Sequence, residues 1–272
     1  MKRAFLPVLF TLLSGYGAIA QHTADYGHNS RAGRYYAVRG IKLYVESYGR
    51  GAPLLLIHGN GGDISAFGNN IPELEKYYRV IAVDSRAQGK SVDTGDSLSF
   101  EMMADDFAAL LDQMHLDSVY VIGWSDGGIN ALVLAMRHPG KVKKLVASGA
   151  NLWPDSTAIV PSVWLDGYRQ FQEGRHHAWT TRKEKNDWKI FLLDYDQPHI
   201  SLAGLEKVHC PALIVAGDHD VIRLDHTVQI YRHIPRAYLW IVPDSGHGTL
   251  IEHADAFNRK VRWFFSTPYH PR

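Results

Sequence analysis

Ser125 stands between Gly123 and Gly127 in the sequence GWSDG, a pattern that indicates a nucleophilic serine. An apolar run typical of a strand ends at Trp124, and a helical pattern of apolar residues follows. A sharp turn between the two would hold the hydroxyl above a sheet, with the glycines leaving room for close packing. The start of the helix would also direct backbone N–H groups at negative charge developing beside the serine.

A nucleophilic serine needs a general base, and the base needs an acid that orients it. The order expected along the chain is serine, acid and histidine, with the last two in loops after later strands. The sequence VAGDHDVI places two acids, Asp218 and Asp220, directly after an apolar run, and PDSGHGTL places His247 after the last such run. There are fifteen histidines, and this position singles out His247. These loops would meet at the carboxyl edge of a parallel sheet, where such folds bind ligands.

The segment HGNGG, residues 58–62, follows another strand pattern and is rich in glycine. Glycines let a backbone approach a substrate closely and direct its N–H groups at developing negative charge. We predict that the N–H groups of Asn60 and Asp126 form this oxyanion hole. The segment has neither the G-K-[ST] ending nor the G-x-G-x-x-G pattern of nucleotide-binding loops, which argues against phosphate binding.

Strand patterns alternate with amphipathic helices along most of the chain, which predicts a mostly parallel sheet with helices on both faces. The sequence from Tyr35 first predicts a hairpin with its turn at Arg39 and Gly40. Buried strands are predicted at residues 53–59, 78–84, 118–124, 142–150, 211–217 and 237–243. The clearest helical patterns cover residues 100–115, 128–138 and 254–265.

Residues 152–207, which we name the lid segment, interrupt this alternation because they contain no strand pattern. The segment holds four of the seven tryptophans, at positions 153, 164, 179 and 188. We interpret it as a helical insertion that covers the strand ends. Its aromatic side chains would form the core of the lid, and a few would line a pocket.

The first twenty residues have the layout of a cleavable signal peptide. Lys2 and Arg3 form a basic start, an apolar run follows from Ala4 to Leu13, and small residues lead to Ala20. The apolar run is short compared with the ~20 residues that span a bilayer. We therefore expect cleavage after Ala20, export to the periplasm or outside the cell, and no membrane association afterwards. Residues 21–34 would form an N-terminal extension.

The composition is that of an ordinary globular protein, with 46% hydrophobic residues. A formal net charge of +1 gives no indication of nucleic-acid binding. The only cysteine is Cys210, so neither a disulfide framework nor a structural zinc site is available from cysteines. We expect a small-molecule substrate and no metal or cofactor, and the sequence leaves the oligomeric state open.

Taken in order, these motifs resemble those of the α/β-hydrolase fold over about residues 35–265. DSRAQGKS, residues 84–91, is similar to the family's D-x-R-G-x-G-x-S, with Ala87 where glycine is common. In the family the acid is the fourth residue of a G-x-x-D loop, which implies Asp220 rather than Asp218. The resemblance implies a core of residues 35–151 and 208–267. It also implies hydrolysis of a small ester or amide by Ser125, His247 and Asp220 through an acyl-enzyme.

Within that family, GWSDGG and the later sequence GAN are similar to the valacyclovir-hydrolase-like branch, the α-amino-acid ester hydrolases. This resemblance implies that Asp126 recognises a substrate amino group, and we expect Trp124 to contact the substrate as well. Three alternatives remain open. Asp126 could instead be neutralised by protein groups and only steady the turn. The same residues could cleave carbon–carbon bonds in ring-fission diketones, or the protein could be a non-catalytic ligand-binding member.

Overall fold

The computed structural model describes residues 25–270. The predicted signal peptide, residues 1–20, lies outside them, as do residues 21–24 of the expected extension. Between residues 25 and 270 there is no helix long and apolar enough to cross a bilayer.

An eight-stranded sheet forms the centre of the molecule, in the order β1-β2-β4-β3-β5-β6-β7-β8. The antiparallel pairs are β1 with β2 and β2 with β4, and the remaining pairs are parallel, so the predicted mostly parallel sheet is confirmed. The strands are β1 (Gly33–Val38), β2 (Ile41–Tyr48), β3 (Ala52–Ile57), β4 (Tyr78–Val83), β5 (Val119–Trp124), β6 (Val142–Ser148), β7 (Ala212–Gly217) and β8 (Ala237–Val242).

Helices cover both faces of this sheet and create two apolar cores. Along β3, Leu55 and Ile57 belong to one core while Leu54 and Leu56 belong to the other, because successive side chains of a strand point to opposite faces. The helices are α1 (Ile71–Leu74), α2 (Phe100–Gln113), α3 (Asp126–Arg137), α4 (Pro161–Gly174), α5 (Arg182–Asp196), α6 (Leu224–His233), α7 (Thr249–Glu252) and α8 (Ala254–Ser266). Burial on both faces explains why the strand sequences are almost continuously apolar.

The predicted hairpin turn is present, and both of its residues, Arg39 and Gly40, have positive φ angles. Its first strand starts at Gly33, two residues before the predicted Tyr35. Gly33 pairs with Glu46, whose buried carboxylate accepts the N–H groups of Gly27 and Asn29, each at 2.8 Å. These hydrogen bonds fasten the end of the expected extension to the sheet.

The lid segment contains α4, α5 and a 3₁₀ helix at Leu202–Lys207. Three side chains fasten its second half to the core. Lys189 Nζ lies 2.8 Å from Asp93 Oδ2, Asn186 Nδ2 donates to the Ala87 carbonyl at 2.7 Å, and Gln197 Nε2 donates to a neighbouring loop at 3.1 Å. In α4, by contrast, only Gly174 is buried. α5 is therefore the inner lid helix and α4 the outer one.

Aromatic side chains of the lid segment pack mainly on one another. Phe171 stacks on Tyr195 with ring centroids 4.4 Å apart, and Trp188 stacks on Trp179 and Phe191 at 5.3 and 4.9 Å. These contacts form the interior of the α4–α5 hairpin, as expected for the core of a lid.

The loop of residues 84–91 is organised around the buried carboxylate of Asp84. It accepts the N–H groups of Ile64 at 3.0 Å and Lys90 at 2.7 Å, and burial raises the pKa of Asp84 to about 6. Ala87 has a φ of 68°, in the left-handed region that favours glycine. This backbone requirement explains why glycine is common at that position in the similar motif.

Candidate active site

Ser125 lies at the turn between β5 and α3, in the strained conformation φ 56°, ψ −121°. A Cβ on Gly123 would lie 1.9 Å from the Gly127 carbonyl oxygen, and a Cβ on Gly127 would lie 1.9 Å from that of Ile57. Both glycines of GWSDG are therefore required by the close approach of α3 to β3 and β5. The Ser125 N–H donates to the Ser148 carbonyl at 2.8 Å, which holds the turn against β6.

The structure brings Ser125, His247 and Asp220 together in one hydrogen-bonded chain. His247 Nε2 lies 2.9 Å from Ser125 Oγ, and His247 Nδ1 lies 2.7 Å from Asp220 Oδ1. Asp218 points away and accepts the Ser245 N–H at 3.1 Å instead. Of the two acids, Asp220 is therefore the one that lies against His247.

The protonation of His247 follows from its surroundings. Burial favours the neutral imidazole, but the negative charge and hydrogen bond of Asp220 outweigh it, so the pKa of His247 is raised. In the neutral ring, an Nδ1–H that donates to Asp220 leaves the Nε2 lone pair facing Ser125 Oγ. This arrangement suits proton abstraction from a serine hydroxyl.

Gly149, after β6, is a site residue for which the sequence reasoning had no structural role. Its φ is 64°, and a Cβ there would lie 2.7 Å from His247 Cε1. A side chain at this position would displace the imidazole from between Ser125 and Asp220. The requirement comes from three loops meeting at the sheet edge, which a linear pattern does not reveal.

The loop of residues 58–62 passes directly beside Ser125, since a Cβ on Gly59 would lie 3.1 Å from Ser125 Cβ. Buried His58 accepts the Ser85 N–H through Nε2 at 3.0 Å, so its Nδ1–H is available to donate to the Gly59 carbonyl at 2.7 Å. In a trans peptide the N–H points opposite to the C=O. His58 therefore directs the Asn60 N–H away from itself, a positioning role that the sequence reasoning missed.

The second predicted donor, the N–H of Asp126, is the first of α3 and has no carbonyl acceptor within the helix. That this N–H and the Asn60 N–H together form the oxyanion hole stays a prediction.

The Asp126 side chain is buried, with 1% of its surface exposed. Its Oδ2 accepts a hydrogen bond from Asn60 Nδ2 at 2.8 Å, and Oδ1 has no partner within the described residues. Burial, followed by the negative charge of Asp194, raises the pKa of Asp126 well above its usual value. Within the part of the chain that the structure describes, this carboxylate is paired with an amide and forms no ion pair.

Trp124 supports the histidine loop. Its indole Nε1–H donates to the His247 carbonyl at 2.8 Å, and the two rings lie 5.9 Å apart. The sequence reasoning expected a substrate contact here and did not anticipate this bond.

Residues 25–270 contain no group of three or more His, Cys, Asp or Glu side chains placed to hold a metal ion.

Comparison with known proteins identifies the family. The family model for the alpha/beta hydrolase fold matches residues 52–178. The 2-hydroxymuconate semialdehyde hydrolase of Pseudomonas sp. (strain CF600) is 30% identical over 267 residues, covering 86% of this chain and 94% of its own. The chain belongs to the α/β-hydrolase family. The predicted fold is thereby confirmed, and the protein is a hydrolase of this fold.

Other α/β-hydrolases are similar over comparable lengths. Human serine hydrolase BPHL is 29% identical over 253 residues and covers 84% of each chain. A meta-cleavage product hydrolase from Pseudomonas fluorescens IP01 superposes with a TM-score of 0.70 at 24% identity, covering 87% of this chain and 98% of its own. At this sequence identity, the similarity to the meta-cleavage product hydrolase supports the fold alone.

We predict that Asp220→Asn lowers kcat strongly, by up to ~10⁴-fold, because the amide favours the wrong imidazole tautomer. Asp218→Asn is the matched control and should change kcat little, since Asp218 does not contact His247. Steady-state kinetics on a p-nitrophenyl ester measures both. A larger loss for Asp218→Asn would contradict the assignment of the orienting acid.

Proposed function

We propose that this α/β-hydrolase is an exported serine hydrolase that cleaves a small ester or amide through an acyl-enzyme. The hydrogen-bonded chain from Ser125 through His247 to Asp220 carries the proposal. The lid segment would cover the acyl group during the reaction.

In the acylation step, Ser125 Oγ attacks the substrate carbonyl while His247 Nε2 takes the hydroxyl proton. The carbonyl oxygen becomes negatively charged and receives the N–H groups of Asn60 and Asp126. His247 then gives its proton to the departing alcohol or amine as the bond to it breaks. Water, deprotonated by His247, attacks the acyl-serine and releases the acid.

The charge of Asp126, beside the nucleophile, affects which substrates the site prefers. An ionised Asp126 opposes the negative charge that forms next to it, and its hydrogen-bond partner among residues 25–270 is the Asn60 amide. A substrate ammonium near the scissile carbonyl would neutralise this carboxylate. We therefore propose amino-acid esters, or similar amine-bearing esters, as the preferred substrates.

A second candidate is cleavage of carbon–carbon bonds, because a relative that is 30% identical is named a 2-hydroxymuconate semialdehyde hydrolase. Another, 35% identical over 126 residues, is named for a heptadienoate, which is an anion. When ionised, Asp126 and Asp194 would repel an anionic substrate. This repulsion of anions favours esters whose acyl part is neutral or cationic.

We predict that Ser125→Ala and His247→Ala each lower kcat on the preferred ester by about 10⁴- to 10⁶-fold, since either change removes proton transfer from the nucleophile. The double variant should lose little more than either single one, because the residues act as a unit. His28→Ala, at an exposed histidine, is the control. Undiminished kcat in Ser125→Ala, or failure of a fluorophosphonate to label Ser125, would favour a non-catalytic role.

We predict that Asp126→Asn lowers kcat/KM for amine-bearing esters by roughly 10- to 150-fold, the equivalent of one charge-assisted hydrogen bond of ~1.5–3 kcal/mol. The amide keeps an oxygen that can accept from Asn60, so the turn is preserved. Neutral esters of equal size should be hydrolysed at nearly the wild-type rate. Equal losses for both kinds of ester would show that Asp126 only steadies the turn.

We predict that the mature protein begins at Gln21, because the sequence before it has the layout of a signal peptide. N-terminal sequencing of protein from the exported fraction of the native host measures this. Protein that starts at Met1 and stays in the cytoplasm would contradict export.

A further inference from the structure

Asp194 brings a second carboxylate to the candidate site, from the inner lid helix. Asn60 Nδ2, which donates to Asp126, also donates to the Ile190 carbonyl of α5 at 3.1 Å. Asp194 follows Ile190 by four residues and so lies on the same side of the helix, about 6 Å further along its axis. The turn of α5 that touches the Asn60–Asp126 pair therefore also carries Asp194.

Four other charged residues on α5 have partners within the helix or the core, and in the described part of the chain Asp194 does not. Lys183 pairs with Asp187 at 2.6 Å, Lys189 pairs with Asp93 at 2.8 Å, and Glu184 caps the helix start. Asp194 makes no side-chain hydrogen bond or ion pair with any residue between 25 and 270.

The Asp194 side chain is exposed, and it lies on the side of α5 that contacts Asn60. Its carboxylate is also close enough to act electrostatically on both Asp126 and His247. The space between α5 and the turn at Ser125 is thus bordered by two carboxylates from different parts of the chain.

Among residues 25–270, no Lys or Arg side chain forms an ion pair with either of these two carboxylates. Asp126 is buried and its Oδ1 is unpartnered, which is costly for a carboxylate unless a partner arrives. Lys189, which precedes Ile190 on α5, is already paired with Asp93. His247 is the base and must be neutral before it accepts the serine proton. A cation from outside the protein fits this space.

We propose that Asp194 and Asp126 together hold one ammonium or guanidinium group of the acyl part of the substrate, between the lid and the turn at Ser125. This inference rests on the proposed hydrolase function and adds a specificity residue, Asp194, that lies outside the GWSDGG motif. A single cation would neutralise both carboxylates and would link α5 to α3 through the substrate.

Two esters that differ only in charge test the proposal: the benzyl ester of 2-aminobutanoic acid and that of 2-methylbutanoic acid, which has a methyl group in place of the ammonium. Asp194→Asn should lower kcat/KM for the amine-bearing ester relative to the neutral ester by about 3- to 10-fold. We expect this effect to be smaller than that of Asp126→Asn, because a carboxylate exposed to water contributes less than a buried one. The benzyl ester of 2-methylbutanoic acid should be hydrolysed by the variant at the wild-type rate. Asp196→Asn, on the same helix but turned about 200° away, is the control and should leave the ratio unchanged.

An unchanged ratio in Asp194→Asn, or equal losses for both esters, would overturn the role of Asp194. The proposed hydrolase function would survive that result, because the wild type would still cleave both esters. If the wild type cleaved neither, the hydrolase function itself would be contradicted.

A second measurement tests the cation site without turnover. Butylamine at neutral pH should slow fluorophosphonate labelling of Ser125 in the wild type, while butanol at the same concentration should not. Asp194→Asn should raise the butylamine concentration needed for half-protection by about 3- to 10-fold. Equal protection by butylamine and butanol, or an unchanged concentration in the variant, would refute the proposal.

Discussion

The close approach of α3 to β3 and β5 is the constraint on which the site depends. It leaves no room for a side chain at Gly123 or Gly127, where an added Cβ would lie 1.9 Å from a backbone oxygen. The chain between them turns so sharply that Ser125 adopts a positive φ of 56°. Such a conformation costs about 1–3 kcal/mol and persists only when its surroundings fix it. Here the sheet and helix supply that support, and the hydroxyl stands at the sheet edge where the other loops converge.

Much of this site was predictable because its main residues follow strands whose apolar runs are clear in the sequence. Ser125, Asp220 and His247 each come directly after such a run, so their meeting at one sheet edge follows from topology. Asp194 could not be found in this way, because α5 carries charges around its circumference and nothing local distinguishes one of its acids. The contributions of His58 and Gly149 depend on distances between loops, which sequence spacing does not encode.

The strands themselves were predicted to within a few residues, whereas the start of the sheet was placed too late. Gly33 and the residues before it have no apolar pattern, and their position depends on the buried carboxylate of Glu46, nineteen residues along the chain from Gly27. Long-range polar contacts of this kind leave no periodic signal. The same reason explains why Trp124 was interpreted only as a substrate contact: its bond to the His247 carbonyl joins residues 123 positions apart.

The two hydrogen bonds of the Asn60 amide join parts of the molecule that have different tasks. One goes to Asp126 at the turn and the other to the Ile190 carbonyl of the inner lid helix, while the backbone N–H of the same residue is the proposed oxyanion donor. A displacement of α5 would therefore pull on the residue proposed to stabilise the transition state. Substitutions that move this helix to enlarge the entrance would change the turnover rate as well as the range of substrate sizes. The width of the pocket and the rate of the chemical step would therefore change together.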